Sequence, residues 1–497
     1  MQVLRILQRH FRRQTKTVST AWSICSTLTP WPSSRSNFLY GKDWDFYVAL
    51  ICIVIPIYSV TFASWAHVIY SIALDESHTF SAPRRLLLGW SILECLFSLY
   101  HLSVQRTYQS LISYPKVPLE RMRSLYSDCL EQLTDFEEQL PLWFFDAPFS
   151  TILRGNMKEW LCWAMFYRHV DAITDGSEED IFLEEMLAML QNRANYTFEP
   201  GHNPAVKCCR LNLDPVQSVH RPLIFYATVH LLDTSMSLLL KHYGFQRYPC
   251  GALSYWLLPC NADTTDNRPI LFIHGIGMGL CSYVSFLNSL YQKSRKTNRP
   301  IILIELPHIS MSLFCQRPFH TTPFTMSSTL AVVDEIFDRH QLKKSATVVG
   351  HSLGTIVAGW IIKERPNIVD RTVLIDPVCF QLYEAYLCQN FVYKMPTTGF
   401  ELVLWYFVAK EACIAWYLGR WFWWHQNIMF PKDFPSLDQT QVFLAEKDRI
   451  IHAPRVYQYL KRNDVPAVLF EGYGHADALL IHTKEQDRMV QAILKND

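Results

Sequence analysis

The chain has 497 residues, 49% of them hydrophobic and only 18% charged, with a formal net charge of +1. So much apolar surface excludes a disordered chain, and the near-neutral balance excludes a global basic field for nucleic acid. The 14 cysteines form no C-x-x-C pair, which argues against a disulfide framework or zinc site and for a reducing compartment.

Residues 1–42 carry no acid, but they do carry Arg5, Arg9, Arg12, Arg13, Lys16, Arg35 and Lys42 among several serines. This profile fits an organelle transit peptide or the positive-inside flank of a first membrane span, and the flank is preferred. From Phe46 to Leu74 the chain runs 29 residues without Lys, Arg, Asp or Glu, enough to span a bilayer. A second run, Leu86 to Leu102, is shorter and holds Glu94 and His101. Residues 43–104 are therefore expected to form a membrane anchor of one or two spans, making the protein integral to a membrane, with the endoplasmic reticulum or mitochondrion as candidates.

Residues 105–247 read as a helical region. Ser177-Glu178-Glu179-Asp180 is a helix start with acids in the first turn, and Leu223–Tyr243 is a helix between Pro222 and Gly244. His230 and Asp233 are read as its polar face. Asn195-Tyr196-Thr197 matches a glycosylation sequon, which matters only with luminal exposure.

From about residue 248 the rhythm changes. Short apolar strands are predicted at Ala252–Leu258, Ile270–His274, Ile301–Glu305, Ala346–Val349, Thr372–Ile375, Val442–Ala445 and Ala467–Phe470. Continuous apolar strands alternating with helices imply an α/β fold, with a mostly parallel sheet covered on both faces. Within it, Gly350-His351-Ser352-Leu353-Gly354 joins a strand to the helix at Thr355–Lys363. A G-x-S-x-G on a strand–turn–helix is a nucleophile elbow, which lifts the serine hydroxyl above the sheet. A base and an orienting acid are then expected downstream, at later strand ends. His475 follows Ala467–Phe470, and Asp448 follows Val442–Ala445. Asp376, after Thr372–Ile375, is the alternative acid. Glu446 is read as a solvated turn residue and Asp477 as a local partner of His475. The loop His274-Gly275-Ile276-Gly277 supplies an oxyanion hole, with the backbone N–H groups of Ile276 and Leu353 as donors.

These motifs, covering residues 248–497, resemble the α/β-hydrolase superfamily of lipase- and esterase-like serine hydrolases. The helical extension and anchor resemble membrane-tethered members. The resemblance implies an α/β-hydrolase fold and cleavage of esters, amides or thioesters through an acyl-serine, without metal or organic cofactor. Between Val378 and Asp433 the sheet rhythm gives way to an aromatic-rich insertion, expected to form a helical cap at about 378–433. Part of its aromatic cluster, which includes Phe400, Trp405, Tyr406, Phe407, Trp416, Tyr417, Trp421, Phe422, Trp423 and Trp424, is expected to face an acyl pocket or the bilayer, and the rest to pack inside the cap. Arg420 and His425 could meet a lipid headgroup or stand in solvent.

The function expected from all this is a membrane-anchored serine hydrolase acting on a hydrophobic ester, a lipid or acylglycerol. Two alternatives are an acyltransferase using the same triad and a non-catalytic scaffold of the same fold. No H-x-x-x-x-D box follows His475, since Leu480 stands where its aspartate would fall.

Overall fold

The computed structural model describes residues 41–73, 81–260, 268–295, 297–313 and 322–495; the basic N-terminal segment lies outside them apart from its last two residues. Helix α1, Trp44–Ala73, contains a short π-helical stretch at Leu50–Val54, just before Pro56. Helix α2 is Ala82–Thr107. The two pack with inverted polarity. In the Ile55–Ala73 part of α1 the buried residues are Thr61, Ser64 and Ser71, and α2 buries Ser91, Glu94, Ser98 and His101. Phe62, Ile72 and Leu86 stand 62%, 77% and 76% exposed. Side-chain hydrogen bonds join the helices, from Trp65 Nε1–H to Ser98 (3.1 Å) and between His67 Nδ1 and Ser91 (2.9 Å). Polar seams under apolar outer faces are how helices pair where the solvent is hydrocarbon.

Next come α3 (Leu119–Gln132), α4 (Phe136–Trp143), α5 (Arg154–Phe166), α6 (Glu178–Ala194) and α7 (Leu223–His242). The Ser177 side chain caps α6 by accepting from the Asp180 N–H. Helix α7 occupies the predicted span, and Gly244 follows it at φ +94°. Its N-terminus explains an oddity of the sequence. Glu94, buried on α2, accepts hydrogen bonds from the backbone N–H groups of Leu223 (2.8 Å) and Ile224 (2.9 Å). The acid that interrupts the second apolar run thus satisfies orphan donors at a helix start, where negative charge is favoured. Helices α1, α2 and α7 are all long and apolar enough to cross a membrane. The first two match the apolar runs read from the sequence. The third was read only as part of the helical region.

The C-terminal half is built on an eight-stranded sheet: β1 (Gln246–Cys250), β2 (Leu253–Leu258), β3 (Ile270–Ile273), β4 (Ile301–Glu305), β5 (Ala346–His351), β6 (Val369–Ile375), β7 (Thr440–Ala445) and β8 (Ala467–Phe470), in the order β1-β2-β4-β3-β5-β6-β7-β8. Strand β2 runs antiparallel to β1 and β4, and all other neighbours are parallel. All seven predicted strands are present. The eighth, β1, reads Gln-Arg-Tyr-Pro-Cys and shows no apolar run, and its Pro249 is tolerated because β1 is an edge. The four residues of β3 and the first four of β4 are buried, as parallel strands covered on both faces require. The order reverses around β3, with β4 on one side and β5 on the other. A crevice at the carboxyl ends of β3 and β5 is where such sheets hold ligands.

Between β6 and β7 the insertion is helical. Its segments Gly399–Ala409 and Ala412–Trp421 meet at 76°. Glu411 sits at the bend and accepts from the N–H groups of Cys413 and Ile414 and from the Tyr226 hydroxyl. Several of the aromatic rings pack against the preceding regions, while Phe400 is 58% exposed. Trp416 stacks on Tyr108 with centroids 4.4 Å apart, and Trp423 lies edge-on to Tyr167 at 4.8 Å. Arg420 is withdrawn from solvent, and His425 is half-buried. Arg420 is 1% exposed and donates to the carbonyls of Gln109, Ser110, Asn212, Asp214 and Gly419, while His425 Nδ1 pairs with the Tyr167 hydroxyl.

Candidate active site

Strand β5 ends in a sharp turn in which Ser352 adopts φ +51°. That left-handed conformation costs a non-glycine residue on the order of 1–3 kcal/mol, and the turn is pinned by Ser352 N–H donating to the Ile375 carbonyl (3.0 Å). The helix Gly354–Glu364 starts immediately. A Cβ on Gly354 would lie 2.2 Å from the Ile273 carbonyl oxygen, so strand and helix can meet only at glycine. Likewise a Cβ on Gly275 would stand 2.7 Å from the Ser352 Cβ, so glycine lets the loop after β3 press against the serine.

The structure brings together Ser352, His475 and Asp448. His475 Nε2 lies 2.9 Å from the Ser352 hydroxyl oxygen, and its Nδ1 lies 2.6 Å from Asp448 Oδ2. The other Asp448 oxygen accepts from the N–H groups of Ile450 (2.7 Å) and Ile451 (3.2 Å), which fixes the carboxylate. Burial disfavours charge on His475, but the surrounding carboxylates, Asp448 first and then Asp376 and Asp477, outweigh it and raise the imidazole pKa to about 9. Asp477 accepts from the Gly474 N–H and Glu446 from the Gly472 N–H, so both serve the loop that carries His475.

Asp376 does not reach His475 Nδ1. Its carboxylate accepts from the N–H of Ala445, at the end of β7, and of Ala476, next to His475 (2.8 and 2.9 Å). It also faces His351 Nε2 at 3.8 Å. Burial opposes its charge, yet His351 and the neighbouring donors hold its pKa below the ordinary value. His351 Nδ1 lies 2.7 Å from the Tyr283 hydroxyl, which accepts from the Gly275 N–H at 2.7 Å. That hydroxyl, accepting from the Gly275 amide, still has its own proton to give to His351 Nδ1, an arrangement that would leave the ring proton on Nε2, on the side of Asp376. One buried chain thus links the acid strand, the histidine loop, the elbow and the oxyanion loop. Tyr283 carried no signal in the sequence, because its role depends on a contact 68 residues away.

The oxyanion loop has a second clamp, in which His274 Nδ1–H donates to the Gly275 carbonyl and Nε2 accepts from the Leu306 N–H. Around the serine, the amides of Gly275, Gly277 and Ser352 are all engaged within the protein. Those of Ile276 and Leu353 meet no protein acceptor among the described residues, and both residues line the cavity beside Ser352. Replacing Tyr283 by phenylalanine is expected to strand the Gly275 amide, at about 1–3 kcal/mol, and to loosen this loop. A fall in kcat of roughly 10–100-fold should follow, since small misplacements near the reacting atoms cost that much. KM should barely change, and affinity for a boronic acid, a tetrahedral mimic, should weaken in parallel with kcat/KM.

Ser352 and His475 open into a cavity of about 1290 Å³, its mouth included. The wall is mainly apolar. The cap provides Leu387, Phe391 and Phe422, and the helical region contributes Trp143, Trp163 and Leu211. That region, silent about function in the sequence, therefore closes the site. No group of His, Cys, Asp and Glu fit to hold a metal occurs among the described residues.

Residues 270–492 match the sequence profile of the alpha/beta hydrolase family. No curated protein matches the chain. Among solved structures, carboxylesterase CesB (YbfK) from Bacillus subtilis is similar at 12% identity over 55% of this chain and 99% of its own, with a TM-score of 0.37. A putative lipase, lip1, from Acinetobacter baumannii AYE is 19% identical over 52% and 93%, with a TM-score of 0.37. The hydrolase BphD from Rhodococcus sp. strain RHA1 is 18% identical over 51% and 98%, with a TM-score of 0.35.

Proposed function

Since residues 270–492 make the C-terminal half of this chain an α/β-hydrolase, we propose that the protein is a membrane-anchored serine hydrolase cleaving a hydrophobic ester, a lipid or acylglycerol. The observation that carries the reading is the hydrogen-bonded chain from Asp448 through His475 to Ser352, opening into a mainly apolar cavity. Ser352 attacks the ester carbonyl while His475 Nε2 takes its proton. Asp448 holds the ring in the tautomer that leaves Nε2 free to accept, and it stabilises the imidazolium that forms. The N–H groups of Ile276 and Leu353 receive the developing oxyanion, each such donor contributing about 3 kcal/mol. His475 then protonates the leaving alcohol, and water repeats the sequence to release the acid. The inside-out hairpin of α1 and α2 supports insertion in a bilayer, which would present lipid substrates to the apolar cavity.

The test uses full-length protein in detergent, with a fluorophosphonate label and two substrates, a long-chain monoacylglycerol and p-nitrophenyl butanoate. Labelling should be blocked by the monoacylglycerol, and kcat/KM should be higher for the long chain. A folded protein that does not label would overturn the hydrolase reading. Labelling with preference for the short ester would overturn the lipid substrate alone.

A further inference from the structure

The chain that leads into α7 retraces α2 backwards. Gln109 donates to the Val216 carbonyl (2.9 Å) and accepts from its N–H (3.0 Å). One turn earlier on α2, Gln105 donates to the Ser218 hydroxyl (3.0 Å), and the His101 and His220 rings lie 4.8 Å apart. Glu94 then takes the N–H groups of Leu223 and Ile224. Residues 216–222 thus descend from Gln109 to Glu94, about 22 Å along α2 at 1.5 Å per residue. This stretch is not helical, yet protein groups complete it. The Val219 N–H donates to the Lys410 carbonyl (3.0 Å), the His220 carbonyl accepts from the Tyr406 hydroxyl (3.4 Å), and the His220 ring meets Thr61 of α1 (3.0 Å). Irregular backbone at membrane depth is tolerated only where protein satisfies it in this way.

The sequence of α2 gives the depth. Between Arg85 and Arg106 the only Lys, Arg, Asp or Glu is Glu94. It lies about 14 Å from the first arginine and about 18 Å from the second, so the two bracket a core of about 30 Å with Glu94 near its middle. Helix α7 starts at that level, and its outer face suits hydrocarbon. Ile224 and Leu231 are 45% and 66% exposed, and Leu232 is exposed beside them. Thr228, exposed on the same face, spends its hydroxyl on the Ile224 carbonyl (2.8 Å). Asp233, the first acid of α7, comes about 15 Å along the helix from Leu223, half the thickness of the core. Trp143 and Trp163 before α7 and the hydrolase half after it wall one cavity, so α7 returns to the side that the chain left. The Tyr226 hydroxyl donates to Glu411 (2.8 Å), at the bend between Gly399–Ala409 and Ala412–Trp421, whose Leu404, Val408 and Leu418 line the serine cavity. We propose that residues 216–232 are a re-entrant membrane segment. It enters beside α2, turns near mid-bilayer at Glu94, and returns as the first half of α7 with Ile224, Leu231 and Leu232 against acyl chains. The partner of this face is bilayer hydrocarbon, because the face continues the apolar outside of the α1–α2 hairpin. The bend that walls the serine cavity is thereby held at bilayer depth. The inference rests on the membrane-anchored reading above, but not on the hydrolase chemistry.

The experiment uses the full-length protein in phosphatidylcholine vesicles that contain one of two photoactivatable phosphatidylcholines. One carries a diazirine at the end of an acyl chain, the other on the headgroup, and the crosslinked peptides are mapped by mass spectrometry. The chain-end probe is expected to label α1, α2 and residues 224–232. Labelling of 224–232 should exceed by about 10-fold that of the peptide holding Ile181, an exposed apolar residue on α6. The headgroup probe should label 224–232 no more than that control. Labelling of α1 and α2 without 224–232 would overturn the re-entrant segment and leave the anchor standing. Labelling of 224–232 by the headgroup probe alone would put α7 on the membrane surface and overturn the proposal. Exclusion of both probes from 224–232, with a chain-to-chain crosslink there, would give the face to a second copy and overturn it as well. If neither probe labels α1 or α2, the anchor reading itself fails and the proposal falls with it. The same map is expected from Ser352→Ala, so the result stands whether or not the serine turns over an ester.

Discussion

Ser352→Ala is expected to abolish fluorophosphonate labelling and to lower kcat by about 10⁶-fold, the scale on which removal of a triad serine acts. The geometry leaves no substitute, because His475 Nε2 points at this hydroxyl. Thr355 is near, but its hydroxyl donates to the Ser352 carbonyl, so it is spent on the turn. A comparison with Ser352→Gly separates catalysis from conformation. At φ +51° alanine keeps the backbone strain of serine, whereas glycine adopts this region freely. Both variants should be inactive, but Ser352→Gly should be more stable than Ser352→Ala by about 1 kcal/mol, read from chemical denaturation. Equal stability would mean that the elbow is not strained. Retained turnover in either would remove Ser352 from the reaction.

The sheet and its motifs were legible because each is written in a short stretch of chain. The buried parallel strands are runs of Ile, Leu and Val, and the elbow combines a strand, a five-residue turn and a helix. The choice between Asp448 and Asp376 was not legible to the same degree, since both follow strands that end above the sheet. Geometry separates them. Asp448 meets His475 Nδ1, while Asp376 is turned to two backbone amides and His351. What the sequence hid is the work of residues that act across long separations. Glu94 caps a helix that starts about 130 residues later. Trp143 and Trp163 wall a cavity whose serine lies on another element, and Arg420 gathers carbonyls from segments about 200 and 310 residues away. Such roles leave no local period or motif. A polar residue inside an apolar run, like Glu94 or His101, is the signal that was available: it marks an inward face needing a partner.

Asp448→Asn should reduce kcat by about 10⁴-fold, as loss of the orienting acid does elsewhere, and should also move the pH profile. Catalysis needs neutral His475, and against the lowering effect of burial the carboxylates around it, Asp448 foremost and then Asp376 and Asp477, raise its pKa from 6.5 to about 9. In the unaltered protein kcat/KM should therefore climb with pH and level off only near 9. In Asp448→Asn the burial that lowers the pKa loses its main opponent, so the small remaining activity should level off at distinctly lower pH. Stability runs the other way. A histidine whose folded pKa is raised contributes stability that is complete below 6.5 and disappears as pH rises through about 9. Asp448→Asn should then destabilise the fold most at acid pH and least above 9. Asp376→Asn gives the contrast, because asparagine keeps one acceptor for two amides and the His475–Asp448 pair stays intact. It should lower kcat less than Asp448→Asn does and leave most of the pH midpoint in place. If instead Asp376→Asn carried the larger loss and the larger shift, the acid would be Asp376, and the 2.6 Å contact between His475 and Asp448 would not be the one that orients the base.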